Sequence, residues 1–390
     1  MHVLHVTPYF APAFCYGGPP RSVLGLCHGL QRAGVSIEVL TTTANGDEEL
    51  PASPGEGSTY AGVGVRYLPL AFPRRFFGAR LASELRTALR RADLCHVHGI
   101  WNVPEWITTR AARAHGTPYV LSPRGMLQPG AMRHGWWRKK LALGLVERSS
   151  LGGADLLHAT SEAEAEVLRA LIGGPRIVVV PNGVDLGATN AAADRLRRRL
   201  PIPADAFVIV FLGRIHPIKR LDLLVEAFAE VRCNQPAAHL VVAGPDELGL
   251  LADTLRPIAS HAPFVHAVGA LDEQEKWSLL RDADVLVQCS DSESFGLAAV
   301  EAMAAGVPVI LTRTCPWPDI EKRGCGLWVN QTSGAIAHAI RRLAGDRALA
   351  KEMGARGAAY AREVYSWDAI GRRFADLYAE VLERGRARVA

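Results

Sequence analysis

No run of apolar residues in this chain approaches the ~20 needed to cross a bilayer as a helix, which argues against a membrane span. The first residues, Met1 to Val6, lack a basic lead and a long apolar stretch, so they read as a strand rather than a signal peptide. A cytoplasmic location is expected. Cysteine is scarce: the seven are odd in number, scattered and without a C-x-x-C pair, which excludes a disulfide framework and predicts reduced thiols. Cys233, Cys289, Cys315 and Cys325 also lack the close spacing of structural zinc ligands. No G-x-G-x-x-G follows the first strand, which disfavours a dinucleotide-binding oxidoreductase. No recognition-helix, zinc-finger or RNP pattern accompanies the basic residues, so nucleic acid is not an expected partner. Nor is there a D-x-D metal clamp, because Asp282-Ala283-Asp284 introduces a buried strand and reads as a helix end.

What is present is a globular composition, 49% apolar and 21% charged, over 390 residues, enough for two domains with separate cores. The net charge of +5 is uneven: residues 1–184 carry 19 Lys and Arg against 13 Asp and Glu, and residues 185–390 carry 25 against 26. The excess concentrates in Phe72 to Phe77, in Arg80 to Arg91 with Leu81, Leu85 and Leu89 at helical spacing, and in Arg133 to Lys140 with Trp136 and Trp137. Two readings stay open: solvated helix faces over an ordinary core, or a surface that meets anionic lipid.

Strands and helices alternate along the chain. Met1–Thr7, a helix over Val23–Arg32 and Val35–Leu40 form a strand-helix-strand unit, hence a parallel sheet. Between the first strand and that helix, Gly17-Gly18-Pro19-Pro20 suits a tight loop. Thr43 to Gly64, rich in Gly, Ser, Thr, Glu and Pro, reads as a mobile loop. Ala92 to Trp101 is a strand that places His96 and His98 on one face; an H-x-H pair can hold a metal, but no third ligand is evident, and no metal is expected. Tyr119 to Leu127 reads as a strand ending in an arginine-bearing loop, where ligands bind in open α/β sheets, so Arg124 is a candidate anion grip. Its alternative is a loop arginine paired with a neighbouring acid. Pro181-Asn182-Gly183-Val184-Asp185 is a turn, followed by a plausible connecting helix over residues 188–200.

In the second half, Gly213-Arg214-Ile215-His216-Pro217-Ile218-Lys219 lies between a strand over Phe207–Leu212 and a helix from about Leu221. Ser290 to Glu301 sits at another strand-to-helix turn, after Asp284–Gln288. Unpaired amides at a helix start and its positive dipole suit an anion, so Phe295, Gly296 and Leu297 could hold phosphate or sugar oxygens, with Gly296 letting a ligand approach. Glu293 and Glu301 can accept hydrogen bonds from hydroxyls. Asp246 is a loop acid with no assigned role, and Val268-Gly269-Ala270-Leu271 is a turn after a strand.

Together, G-R-x4-K and E-x7-E resemble the retaining nucleotide-sugar glycosyltransferases of family 4, and S-P-R-G-M-L at Ser122–Leu127 is similar to a string in bacterial exopolysaccharide and O-antigen members. The resemblance implies an α/β GT-B fold: two Rossmann-like domains, 1–184 for the acceptor and 185–366 for the nucleotide sugar, facing each other across a cleft, with a last helix over 367–390 returning to the first. It implies that Arg214 and Lys219 meet the leaving diphosphate and that Glu293 contacts the transferred sugar. His98 would face that sugar, while His96 supports the core. Gly18, Gly213, Gly269, Ser294, Phe295, Gly296, Leu297 and Glu301 would bind the donor, Glu301 through the ribose. Arg124 and Gly17 would serve the acceptor. The implied reaction moves a hexose from a UDP- or GDP-sugar to a glycan or polyprenyl-diphosphate-linked acceptor in surface polysaccharide synthesis, with retention and no cofactor or metal. Arg220 departs from the family, where glycine is common, so a tight helix start is expected. A nucleotide-sugar 2-epimerase of the same fold is the alternative; it would act without an acceptor.

Overall fold

A computed structural model describes every residue except 52–57, 73–76, 79, 129–130, 133–135, 187–198, 294 and 390. The chain divides into two compact units, Met1–Gly183 with Trp367–Ala390, and Val184–Ser366. Val184 belongs with the second unit because its N–H donates to the Tyr365 carbonyl. The expected connecting helix falls largely on residues outside those described.

The first unit holds an eight-stranded sheet built from β1 (His2–Val6), β2 (Ser36–Thr42), β3 (Thr59–Tyr60), β4 (Val63–Leu68), β5 (Leu94–His98), β6 (Tyr119–Ser122), β7 (Leu156–Ala159) and β8 (Arg176–Val179). Their order is β8-β7-β6-β5-β1-β2-β4-β3. All neighbours run parallel except the edge strand β3. The stretch read as a mobile loop is therefore partly ordered, contributing β3, the start of β4 and a small antiparallel pair between Ala44–Asn45 and Glu48–Glu49.

Helix α1 (Gly18–Arg32) starts five residues earlier than its apolar pattern predicts, because Pro19 and Pro20 fit the first turn, where an N–H would be unbonded anyway. Helix α2 (Leu81–Leu89) buries Leu81, Leu85 and Leu89. Its apolar stripe therefore covers the core, and the lipid reading of this segment is corrected to the ordinary one. The basic run's residues 73–76 lie outside those described. Helices α3 (Val103–His115) and α4 (Glu162–Leu171) follow.

The second unit has a six-stranded, wholly parallel sheet of β9 (Phe207–Leu212), β10 (Ala238–Ala243), β11 (Val265–Gly269), β12 (Val285–Gln288), β13 (Val309–Thr312) and β14 (Gly326–Val329). Its order is β11-β10-β9-β12-β13-β14. Both faces are buried, so these strands are near-continuous apolar runs. Its helices include α5 (Leu221–Asn234), α6 (Glu273–Asp282), α7 (Leu297–Ala304), α8 (Ser333–Gly345) and α9 (Arg347–Val364). The unassigned Asp246 accepts from the amides of Leu250 and Leu251, capping the short helix that follows. Asp284 accepts from Val208 N–H and pairs with Arg347, which makes it structural.

The last helix, α10 (Trp367–Val389), packs on α1 of the first unit. Gly25 and Gly29 make this close crossing feasible: a Cβ on Gly25 would overlap the Trp367 ring, and one on Gly29 would lie 2.2 Å from the Trp367 carbonyl oxygen. The crossing brings Tyr378 against the end of the first sheet.

Candidate active site

In the first unit the two faces of one sheet differ. Leu4, Val6, Leu40, Cys95, Val97, Tyr119, Leu121 and Leu157 make one face apolar throughout. The other starts apolar with Val3, Leu94, Val120 and Leu156, then turns polar toward the strands' carboxyl ends with His5, His96, His98, Ser122 and His158, all buried. This is the edge of an open parallel sheet where ligands bind.

Burial keeps the imidazoles neutral: it lowers His5 and His158 to about 3, and it lowers His96 and His98 well below the ordinary range, with Arg124 adding to the effect at all four. Neutral rings force the direction of every bond. The Val180 carbonyl can only accept, so His158 donates from Nε2 (2.7 Å). Its Nδ1 then accepts from Ser122 Oγ (2.6 Å), Ser122 accepts from His96 Nε2 (2.6 Å), and His96 Nδ1 accepts from the Tyr378 hydroxyl (2.5 Å). A second chain starts at Arg124, whose Nε and Nη2 donate to His98 Nδ1 (3.2 and 3.0 Å). His98 Nε2–H therefore donates to His5 Nδ1 (2.8 Å), which leaves His5 Nε2–H buried without an acceptor among the described residues.

These contacts revise two expectations. A third histidine, His5, does complete a cluster with His96 and His98, their ligand atoms all within 4.8 Å of one another. Both nitrogens of His96 and of His98 are already engaged in hydrogen bonds, however, and the Arg124 cation stands beside them. In this structure His98 offers neither ring nitrogen to a hydroxyl, because Arg124 occupies the outer one and His5 the inner.

Arg124 has a left-handed φ of +53°. Beyond His98 it bonds Ser22 Oγ (2.9 Å) and Asn182 Oδ1 (3.2 Å), and no described carboxylate pairs with it directly. The alternative of a loop arginine paired with an acid is thus not what the structure holds. Burial pulls its guanidinium down to about 10, with Glu164 opposing that. Buried Glu164 stays one layer below, accepting from Gly125 N–H and from the N–H and hydroxyl of Thr160. The Arg124 guanidinium thus carries its charge with no paired carboxylate among the described residues. Gly17 (φ +82°) caps the start of α1, and Gly18 is its first residue.

In the second unit the same sheet edge is charged and paired. Gly213, Gly244 and Gly269 end neighbouring strands; a Cβ on Gly244 would fall 1.9 Å from the Gly213 carbonyl oxygen. The following loop presents Arg214, exposed and unpaired among the described residues, and Lys219, which forms an ion pair with Glu293. One Glu293 oxygen, Oε1, accepts from Lys219, from Gln288 Nε2 (2.6 Å) and from Ser290 Oγ (2.8 Å). Oε2 accepts from none of the described residues. Arg220 has φ +52° at the start of α5, the left-handed geometry that glycine takes without strain. Its side chain binds Asp222 and Asp291, which hold its guanidinium above the usual range despite partial desolvation.

Gly296 (φ +86°) caps α7, and a Cβ there would lie 3.1 Å from Gln288 Oε1 and 3.3 Å from Trp317 Nε1. Glycine is thus required by the protein's own packing and backbone angle. Phe295 is a core residue whose carbonyl accepts from Trp317 Nε1 (2.6 Å). Leu297 begins α7, and Ser294 lies outside the described residues. Glu301 on α7 pairs with Lys276 (2.7 Å), which also pairs with Glu273 (2.6 Å); burial would lower the Lys276 ammonium, but the two carboxylates outweigh it and hold it up.

Sequence reasoning missed His5, His158, Tyr378, Lys276 and Gln288. The available signal for His5, His158 and Gln288 was a polar residue near the end of an apolar strand. Tyr378 carried none, since His96 lies 282 positions away, and for Lys276 the neighbouring Glu273 gave no hint of the more distant Glu301.

Two family models match the chain: Glycosyl transferase 4-like domain over residues 17–183, and Glycosyl transferases group 1 over residues 192–360. A D-inositol 3-phosphate glycosyltransferase of Kineococcus radiotolerans is 31% identical, covering 97% of this chain and 94% of the relative. The GDP-mannose:cellobiosyl-diphosphopolyprenol alpha-mannosyltransferase of Komagataeibacter xylinus is 29% identical over 98% of this chain and 95% of the relative. Among solved structures, sucrose-phosphate synthase from Thermosynechococcus elongatus superposes with TM-score 0.76 at 23% identity, over 98% of this chain and all of that one. Anabaena HepE, crystallised with UDP and glucose, gives 0.74 at 19% identity, over 97% of this chain and all of that one. These likenesses identify the fold as GT-B.

Proposed function

Because this chain belongs to the group 1 glycosyltransferases with a family 4-like first domain, we propose that it moves a hexosyl group from a UDP- or GDP-sugar to a glycan or polyprenyl-diphosphate-linked acceptor, with retention and without a divalent metal. The observation that carries this reading is the cluster at the second sheet's edge: exposed Arg214 and one Glu293 oxygen that have no partner among the described residues, with Lys219 held by the other Glu293 oxygen. Fixed cations at a strand-to-helix junction neutralise charge as it builds on a departing diphosphate, without reorganising during the reaction. Glu293 Oε2 accepts from the transferred sugar, and Glu301 accepts from the ribose. The backbone at Gly213, Gly269 and Phe295 to Leu297 lines the nucleotide. Arg124, with Gly17 and Gly18 nearby in the chain's fold, takes an anionic group of the acceptor or the donor diphosphate. His98 becomes available to the sugar when Arg124 turns toward that anion.

The Komagataeibacter relative acts on a polyprenol-linked acceptor, which supports a lipid-linked acceptor; a role in surface polysaccharide synthesis is part of the proposal. No described helix is long and apolar enough to cross a membrane. Contact with anionic lipid falls instead to the helix Trp136–Ala142, where Trp137 (56%) and Leu141 (58%) are exposed beside exposed Lys140. Its neighbours 133–135 lie outside the described residues.

The test is a thermal-shift panel of UDP-, GDP- and ADP-sugars, followed by turnover with and without EDTA and NMR of the product's anomeric centre. A shift with a UDP- or GDP-sugar, chelator-resistant turnover and a retained linkage are expected. No shift with any sugar nucleotide would overturn the reading. Loss of turnover on chelation, or an inverted linkage, would overturn its metal-free or retaining part.

A further inference from the structure

Gln288 is the last residue of β12, after Val285, Leu286 and Val287, and only 8% of it is exposed. A carboxamide is an unusual filling for this position unless something polar needs it. Its Nε2 donates to Glu293 Oε1 at 2.6 Å, a bond strengthened by the acceptor's charge. The amide cannot be turned over, since its oxygen would then face the carboxylate. Held this way, Gln288 Oε1 is buried and has no donor among the described residues, pressed toward the Cβ-less face of Gly296. An apolar side chain here would avoid that unpaired acceptor, so the carboxamide's contribution is to Glu293.

We propose that Gln288 is a positioning residue for Glu293: with Ser290 it fixes Oε1, so that Oε2 remains aimed at the sugar when Lys219 shifts its charge to the diphosphate. The inference rests on the reading of Glu293 as the sugar contact. Lys219 has two anions to serve, the Glu293 carboxylate and the leaving group. Were it the only group holding Glu293, moving toward the diphosphate would free the carboxylate to rotate as it is needed. Gln288 and Ser290 sit on the strand end and the loop beyond it, not on the loop bearing Lys219, so their grip survives that movement.

The experiment compares Kd for UDP-glucose with Kd for UDP, and for GDP-mannose with GDP, by calorimetry on the full chain. Gln288→Leu, and Gln288→Met should Leu disturb folding, are expected to weaken the sugar nucleotide about 10-fold while leaving the bare diphosphate unchanged. Gln288→Glu adds a second carboxyl against Glu293, so its sugar increment should be near wild type while the pair shares a proton, and fall as pH rises. A sugar nucleotide to nucleotide ratio unchanged in both apolar variants, or an equal loss for both ligands, would overturn the positioning role. Glu293→Gln separates the two levels. If that variant keeps the ratio, the sugar contact itself is wrong; if it loses the ratio while the Gln288 variants keep it, only the present inference fails.

Discussion

The two sheets of this chain end in polar clusters built on opposite principles. At the first, buried imidazoles are kept neutral and passed hydrogen bond to hydrogen bond, so a single guanidinium, Arg124, is the charge that stands out. At the second, charges are numerous and paired: Lys219 with Glu293, Lys276 with Glu301 and Glu273, Arg220 with Asp222 and Asp291. The neighbours decide which principle applies. A fully buried ring with no carboxylate bonded to it sheds its proton, whereas Lys276, though little exposed, keeps its charge because Glu301 and Glu273 stand against it. The first cluster is consequently sensitive to pH and to the loss of one neutral donor, and the second to the loss of one charge.

The largest expected effect breaks the second cluster. Lys219→Ala and Arg214→Ala should each lower turnover about 100- to 1000-fold with the melting profile retained; near-normal rates in either would remove its role at the leaving group.

Acid should break the first cluster. His5 and His158 remain neutral in the folded state down to about 3, whereas the unfolded chain takes up protons below about 6.5. Folding stability is therefore lost as pH falls from 6.5 toward 3, by about 1.4 kcal/mol per pH unit for each such imidazole. Buried Glu105 works in the opposite sense. Burial raises it from 4.5 to about 8, against the hydrogen bond from Asn102, so the folded state keeps a proton that the unfolded chain releases, and stability is lost as pH rises from 4.5 through 8. Hydrogen exchange at pH 5, 6.5 and 8 should show the first unit best protected near 6.5, and Glu105→Gln should flatten the alkaline side while steepening the acid side, where Glu105 opposes the imidazoles. Protection that rises steadily toward pH 5 would show that the rings are charged when folded.

A smaller effect sharpens the contrast. Tyr378→Phe leaves His96 Nδ1 as a buried acceptor without a donor, at a cost of about 1–3 kcal/mol. Exchange should quicken in the first unit and not in the second; equal quickening in both would mean that the hydroxyl is not a local support. Smallest is Arg220→Gly, which relieves a left-handed residue costing about 1–2 kcal/mol but gives up exposed ion pairs worth about 0–1 each, for a net change within about 1 kcal/mol in chemical denaturation. A loss well above that would make the Arg220 pairs a structural clamp.

Much of this was legible in the residues alone. Alternating apolar runs announced two parallel sheets, and Arg214, Lys219, Glu293 and Glu301 stood out because they cluster at strand-to-helix turns. The apolar stripe of α2 was legible as amphipathic, yet periodicity could not say whether its partner was lipid or its own core. The start of α1 was misjudged because Pro19 and Pro20 looked like loop residues, when proline is tolerated where a helix has no N–H bond to make. His5 went unnoticed as a partner of His98, since ninety-three positions separate them and only the pairing of β1 with β5 brings them together.

The chain's own order of residues determined its alternation of strand and helix, its two-domain length and the kinds of charge it carries to the strand ends, because periodicity and turn chemistry are local. Which nitrogen of each histidine holds a proton, which oxygen of Glu293 is spent and which is left, and which charges meet a partner were decided only by tertiary structure. Hydrogen-bond direction and desolvation depend on neighbours brought in from distant segments, and no local pattern encodes those neighbours.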